Sequence, residues 1–236
     1  MVTDPLAALA ALEGVPSAVV SSLDAVDAVL RDRGMRVVSA EQTAAALLAG
    51  ARASAELTDE PGRWLPGAVR LSTELVALSG LVRSSPAQAM ARAHALVAHG
   101  EVPDSRLGRV SGSPEVSARM TGLSALLTQR TNAPALVLAA VAHAEIASLA
   151  PFASADQVVA RAVEHMLLIS CGVDPRAVLV PEAGHLALRT AYVDALAGYS
   201  VGSATAVRDW ILHCARALAH GAEVSPVRPQ QPRLSD

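Results

Sequence analysis

The residues with chemistry to offer are concentrated in Ala150-Pro151-Phe152-Ala153-Ser154-Ala155-Asp156-Gln157-Val158-Val159-Ala160-Arg161, between two apolar segments. Ser154 to Gln157 fits the S-x-x-Q pattern of a capping box. In that arrangement the Ser154 hydroxyl accepts from the Gln157 backbone N–H, and the Gln157 side chain reaches back to the Ser154 N–H. Asp156 would then sit on the positive end of the helix dipole, a gain of about 0.3–1 kcal/mol. Arg161 is the one cation of the stretch. It either keeps a contact to an anion or pairs with Glu145, Glu164 or Asp156, and His165 follows it by one helical turn.

The other chemical residues read as structural. His143 shares a helical face with Leu136, Ala139 and Ile146, as a packed and hydrogen-bonded core histidine does. His94 and His99 lie on one helix without acidic or cysteine partners, so no metal site is expected there. His213 and Cys214 are neighbours in sequence and point in different directions on a helix. No G-x-G-x-x-G follows a strand pattern and no G-x-S-x-G occurs, so neither a dinucleotide fold nor a hydrolase elbow is indicated.

These residues must be positioned by helices. Apolar spacing predicts helical segments over 5–33, broken near Gly14 and Pro16, and from Ser39 to about Glu56, where Ser39 and Gln42 form a capping-box pattern. Pro61, Gly62, Pro66 and Gly67 read as a loop around Trp64. Helical spacing resumes over Leu71 to Arg83 and Pro86 to His99, with Gly100 as a stop. Residues 100–113 carry Gly100, Pro103, Gly108 and Gly112 and read as a short β-hairpin or loop. Further helices are expected from Ser113 to Gln129, Pro134 to Leu149, Ala155 to Cys171, Leu186 to Ala197 and Ala204 to His220. The tail from Val224, with Pro226, Pro229 and Pro232, cannot continue a helix and reads as disordered. The expected fold class is all-α.

Composition narrows the function classes. The chain has 236 residues, 52% apolar and 17% charged, with a single Phe, two Tyr and two Trp, so the core must be Leu, Val and Ala. Its length suffices for a full core. All 19 cations are Arg, and the formal net charge is −3. No basic stripe is present to neutralise phosphates, so nucleic-acid binding is not expected. The longest apolar run, Pro134 to Ala142, is shorter than the roughly 20 residues needed to span a bilayer, and no signal-peptide pattern opens the chain. A cytoplasmic protein with reduced Cys171 and Cys214 is the expectation.

The stretch from Ala150 to Arg161 resembles the signature of the Fic (Fido) family, His-Pro-Phe-x-Asp/Glu-Gly-Asn-Gly-Arg-x-x-Arg. Pro151, Phe152 and Arg161 match. Ala150 stands at the catalytic His, Ser154 at the metal-binding acid, Ala155-Asp156-Gln157 at Gly-Asn-Gly, and Val158 at the first Arg. The helix around His143, the start Ser113-Pro114-Glu115-Val116-Ser117-Ala118-Arg119-Met120, and the segments at Arg189–Leu196 and Trp210–Leu212 resemble family elements in the same order. Ser54-Ala55-Glu56-Leu57-Thr58-Asp59 lies where an inhibitory helix with Ser-x-x-x-Glu-Gly occurs in many members, with Thr58 at the Glu.

The resemblance implies a helical region at 1–84, a Fic-like core at 85–222 with a target-positioning flap near 100–113, and a Pro-rich tail at 223–236. It implies a protein that has lost AMP transfer and acts as a binding or regulatory module, with a protein partner at the flap or cleft and no cofactor. The alternative is weak or altered nucleotidyl transfer in the degenerate cleft, with ATP and Mg²⁺ and with Arg161 on the phosphates. A third reading is a helical protein whose role owes nothing to the resemblance.

Overall fold

The computed structural model describes residues 4–32 and 38–226. Within them the chain is all-helical and no strand forms. The helices are α1 (Pro5–Ala10), α2 (Val15–Asp32), α3 (Ala40–Glu56), α4 (Pro61–Ser72), α5 (Leu75–Ser79), α6 (Pro86–Ala98), α7 (Pro114–Thr128), α8 (Ala135–Leu149), α9 (Asp156–Ser170), α10 (Pro181–Ala187), α11 (Arg189–Tyr199) and α12 (Ala204–Glu223). The proline-rich tail beyond residue 226 lies outside the described residues.

The centre of the fold is the α8–α9 hairpin. In α8 every residue from Leu136 to Ala144 is buried, as expected of a helix that is apolar all round. Residues Val158 to Ile169 of α9 are likewise buried. The hairpin is enclosed by α5, α6 and α7 on one flank and by α11 and α12 on the other, while α3 and α4 pair above α9 and α2 packs on α12. Small side chains allow close crossings. A Cβ added at Gly184 of α10 would collide with the Ala217 carbonyl oxygen of α12, and one at Gly221 of α12 would meet the Val180 carbonyl. Backbone cannot swing aside as a side chain can. Gly184→Ala is therefore expected to separate α10 from α12 and to lower stability by about 2 kcal/mol, read as a lower urea midpoint with an unchanged slope.

Several helix starts follow local chemistry. Ser39 accepts from the Gln42 N–H at 3.2 Å while the Gln42 side chain accepts from the Ser39 N–H at 2.9 Å, completing the capping box. Ser113 and Ser203 cap α7 and α12. Two expectations are corrected, and the hairpin-or-loop reading of 100–113 resolves to the loop. Residues 61–67 are not a loop but the first turns of α4, with Pro61 at its start and Pro66 inside it. The buried face of Trp64, Ala68 and Leu71 outweighs the local cost of Pro66. Residues 100–113 form no hairpin. They hold a single 3₁₀ turn at Asp104–Arg106 and an isolated bridge from His99 to Val102. The segment from Pro181 to Ala187, not predicted to be helical before Leu186, is α10.

Candidate functional site

The loop that joins α8 to α9 carries three alanines in left-handed conformation: Ala150 at φ 44°, Ala153 at φ 56° and Ala155 at φ 55°. Each position costs an L-residue about 1–2 kcal/mol. Three of them within six residues mark a loop whose path is dictated by its surroundings. The surroundings are specific. The Asp156 carboxylate accepts from the Phe152 N–H at 2.8 Å and closes the loop on itself. The Pro151 carbonyl accepts from the Ser111 N–H at 2.6 Å, tying the loop to the 100–113 segment. The Phe152 ring stacks on His94 of α6, with centroids 4.4 Å apart and planes within 9°.

His94 explains the fate of Ser154. The Gly108 N–H donates to His94 Nδ1 at 2.9 Å, so the ring proton sits on Nε2 and is donated to Ser154 Oγ at 3.0 Å. Burial pushes the His94 pKa below its ordinary value and keeps the ring neutral. The capping box read at Ser154 and Gln157 therefore does not form. Ala155 is the residue preceding α9, it makes no side-chain cap, and Gln157 is the second helical residue instead of the third. Gln157 turns away, donating to the Ala147 carbonyl at 3.2 Å and accepting from the Tyr192 hydroxyl at 3.2 Å. Asp156 does stand at the start of α9. Burial pushes its pKa up to about 6, against the backbone N–H groups that favour its charged form.

Beside this loop lies a cleft of about 700 Å³ between the end of α3, the start of α4 and α11. Its charged lining residues are Asp59, Glu60 and Asp156, and Trp64 and Tyr192 are its aromatic ones. Among the described residues, no Arg or His lines it. Ala150, Ser154, Ala155 and Gln157 reach the cleft; Pro151, Phe152, Val158 and Arg161 do not.

Arg161 is 1% exposed. Its Nε donates to Ser54 Oγ at 2.9 Å, one terminal nitrogen to the Ser54 carbonyl at 2.8 Å, and the other to the Tyr192 hydroxyl at 3.0 Å. None of the three carboxylates considered from sequence is its hydrogen-bond partner. Glu145 is held by Arg119 at 2.8 Å, Asp156 by the Phe152 N–H, and Glu164 by two histidines. The guanidinium instead satisfies a carbonyl near the C-terminus of α3, where helix carbonyls run out of partners.

Tyr192 continues this chain inward. His143 Nε2 lies 3.0 Å from its hydroxyl, and His143 Nδ1 lies 2.5 Å from Glu164 Oε2. The same carboxylate oxygen is 2.8 Å from His185 Nε2, and His185 Nδ1 is 3.0 Å from His213 Nε2. One residue from each of α8 to α12 thus meets in the core. Burial alone would raise the Glu164 pKa, but the two imidazoles outweigh it and hold the carboxyl below its usual range. Burial lowers the His143 pKa to about 4 and that of His213 to about 3, so both rings are neutral. His143 is a packed, hydrogen-bonded core residue, as its helical face implied. The partners Glu164, His185 and His213 were not singled out as a cluster. The one local signal was Glu164 itself, a carboxylate within the apolar run of α9.

A second buried cluster lies one residue further on. His165 Nδ1 is 3.0 Å from Glu182 Oε1, and its Nε2 is 3.6 Å from Asp174 Oδ2. Burial works against its charge, but the two carboxylates raise its pKa to about 10, so it is an imidazolium. Asp174 in turn accepts from the Val178 and Leu179 N–H groups and fixes the approach to α10. Cys171 is exposed and Cys214 buried, both as free thiols. Compared with protein-family models and with curated proteins, the chain matches none of them.

Proposed function

We propose that this chain is a Fic-like protein without AMP transfer, and that it acts as a binding or regulatory module through the cleft beside the 150–156 loop. Two local features support the Fic-like part. Ala155 stands where the family motif has glycine and adopts a φ of 55°, the region glycine enters freely. Arg161, at the position of the second motif arginine, docks on Ser54, the first residue of the stretch that resembles the inhibitory helix.

The engagement of Arg161 carries the loss of activity. Phosphate recognition needs a cation facing the ligand. Here the only motif cation is buried and spent on Ser54 and Tyr192, while the cleft presents Asp59, and Glu60 paired with Arg63 at 2.9 Å, to anything that enters it. Ala150 offers no proton acceptor for a target hydroxyl. Ser154, at the position of the metal-binding acid, is neutral and bonded to His94. A nucleotide polyphosphate would meet like charge, whereas an uncharged or cationic protein segment would not. The partner expected in the cleft is therefore a protein.

Incubation with ATP and Mg²⁺ tests this. Thermal unfolding is expected to shift by less than 1 °C at 1 mM ATP, and α-labelled ATP with cell lysate is expected to leave no label on protein. A ligand at a hundred times its Kd would stabilise by about 2.7 kcal/mol and could not be missed. Transfer of label to a client would establish nucleotidyl transfer by the degenerate cleft instead.

A further inference from the structure

The buried meeting point of α8, α9 and α10 has the donors of a metal site. His143, Glu164 and His185 each contribute one ligand atom, and the three atoms lie within 4.8 Å of one another. All three residues are buried. Two imidazoles and one carboxylate are the donor set of many mononuclear zinc and non-haem iron centres.

Hydrogen bonding leaves a loose end that an ion held by both Glu164 oxygens would resolve. Both imidazole nitrogens converge on the same oxygen, Glu164 Oε2, while Oε1 is buried with no hydrogen-bond partner. An unpaired carboxylate oxygen in the interior is among the costlier defects a core can hold. The remainder of the cluster already forms an outer shell. His143 meets the Tyr192 hydroxyl through Nε2, and His185 meets His213 through Nδ1. Ligating histidines are commonly fixed in this way through the nitrogen that does not bind metal.

Proton bookkeeping permits the exchange. Without an ion, His143 Nδ1 and His185 Nε2 carry the protons and donate to Glu164. With one, the protons move to the opposite nitrogens. His143 Nε2–H then donates to Tyr192, whose own hydroxyl turns fully to Gln157 Oε1, already at 3.2 Å. His185 Nδ1–H donates to His213 Nε2, whose own proton moves to Nδ1. No proton leaves the protein.

We propose that His143, Glu164 and His185 bind one divalent first-row transition ion, with zinc the best match. Metal–ligand bonds of about 2.0–2.2 Å in a tetrahedron separate donors by about 3.3 Å, so from its present 2.5 Å the His143 ring withdraws from Glu164 by about 0.8 Å, and from 2.8 Å the His185 ring by about 0.5 Å. The burial of the donors means that the ion enters during folding, and its binding adds to the stability of the core. The three ligands lie outside the cleft, which they touch only through Tyr192, and the proposal does not rest on the Fic-like reading.

The test uses the full chain, unfolded in guanidinium with chelator and refolded with or without equimolar ZnCl₂. About one zinc per chain is expected after desalting, with thermal unfolding at least 5 °C higher than in the zinc-free sample. Glu164→Gln and His185→Gln are each expected to lower bound zinc at least tenfold. Cobalt in place of zinc provides a reading that does not depend on the variants folding: intense visible absorption from a tetrahedral or five-coordinate site. Less than 0.1 zinc per chain with identical unfolding in the two samples would overturn the proposal, as would undiminished zinc in a folded His185→Gln variant.

Discussion

Arg161→Met is expected to lower stability by about 3–4 kcal/mol, a fall of about 10 °C in the unfolding midpoint for a chain of this size. Methionine replaces most of the volume, so the loss is one of hydrogen bonding. Three donors disappear. The Ser54 carbonyl, the Ser54 hydroxyl and the Tyr192 hydroxyl are left facing a thioether in a buried site. Each charged hydrogen bond is worth about 1.5–3 kcal/mol, and stranded partners add their desolvation cost. Lysine would not rescue the fold. Its single ammonium cannot reach both Ser54 on α3 and Tyr192 on α11, whereas the planar guanidinium spans them. Equilibrium urea unfolding of the wild type, Arg161→Met and Arg161→Lys measures this. A loss below 1 kcal/mol in both variants would show that Arg161 is not the pin between α3, α9 and α11.

The same residue shows where sequence reading stops. The helix that carries Arg161 was legible, because the spacing from Val158 to Leu168 and the stop at Gly172 are local signals. The Ser39 capping box was legible for the same reason, since both members lie within one turn. The cap at Ser154 had the same pattern and failed, because His94, 60 residues away, recruits the serine hydroxyl, and because Ala155 takes a left-handed conformation no local rule anticipates. The start of α4 was hidden by Pro66 and Gly67, which punctuate a sequence yet can be overridden by burial of Trp64 and Leu71. The His143–Glu164–His185–His213 cluster draws single residues from separate helices, with no spacing to betray it. Only the packing of α8 to α12 brings them together. The resemblance implied a cleft along 150–161, but of that stretch only Ala150 and Ala153 to Gln157 line the cavity beside it, and the other acidic residues of that cavity were not anticipated. Asp59 and Glu60 belong to a connection between α3 and α4 that sequence alone did not place beside residue 150.

Asp156 supplies the second large expected effect, one whose sign depends on pH. Its carboxyl is 7% exposed, and the groups known to face it are the backbone N–H of Phe152, that of Ser154 and its own. Burial raises its pKa from 3.8 to about 6 despite those donors. A native state that binds the proton more tightly than the unfolded chain is favoured at low pH, and that advantage disappears as pH rises through the folded value. This one group should therefore withdraw about 2.4 kcal/mol of stability between pH 4 and pH 8. Asparagine keeps an oxygen for the Phe152 N–H and carries no charge to desolvate. It is also the residue that the resembling motif has at this position. Asp156→Asn is expected to match the wild type within about 0.5 kcal/mol at pH 4 and to exceed it by about 2–3 kcal/mol at pH 8. Urea unfolding of both proteins at the two pH values isolates the effect, because every other titrating group cancels in the difference. A difference that does not change with pH, or a variant less stable at pH 8, would mean that the Asp156 carboxylate is stabilised as an anion at the start of α9 and that the helix dipole outweighs burial there.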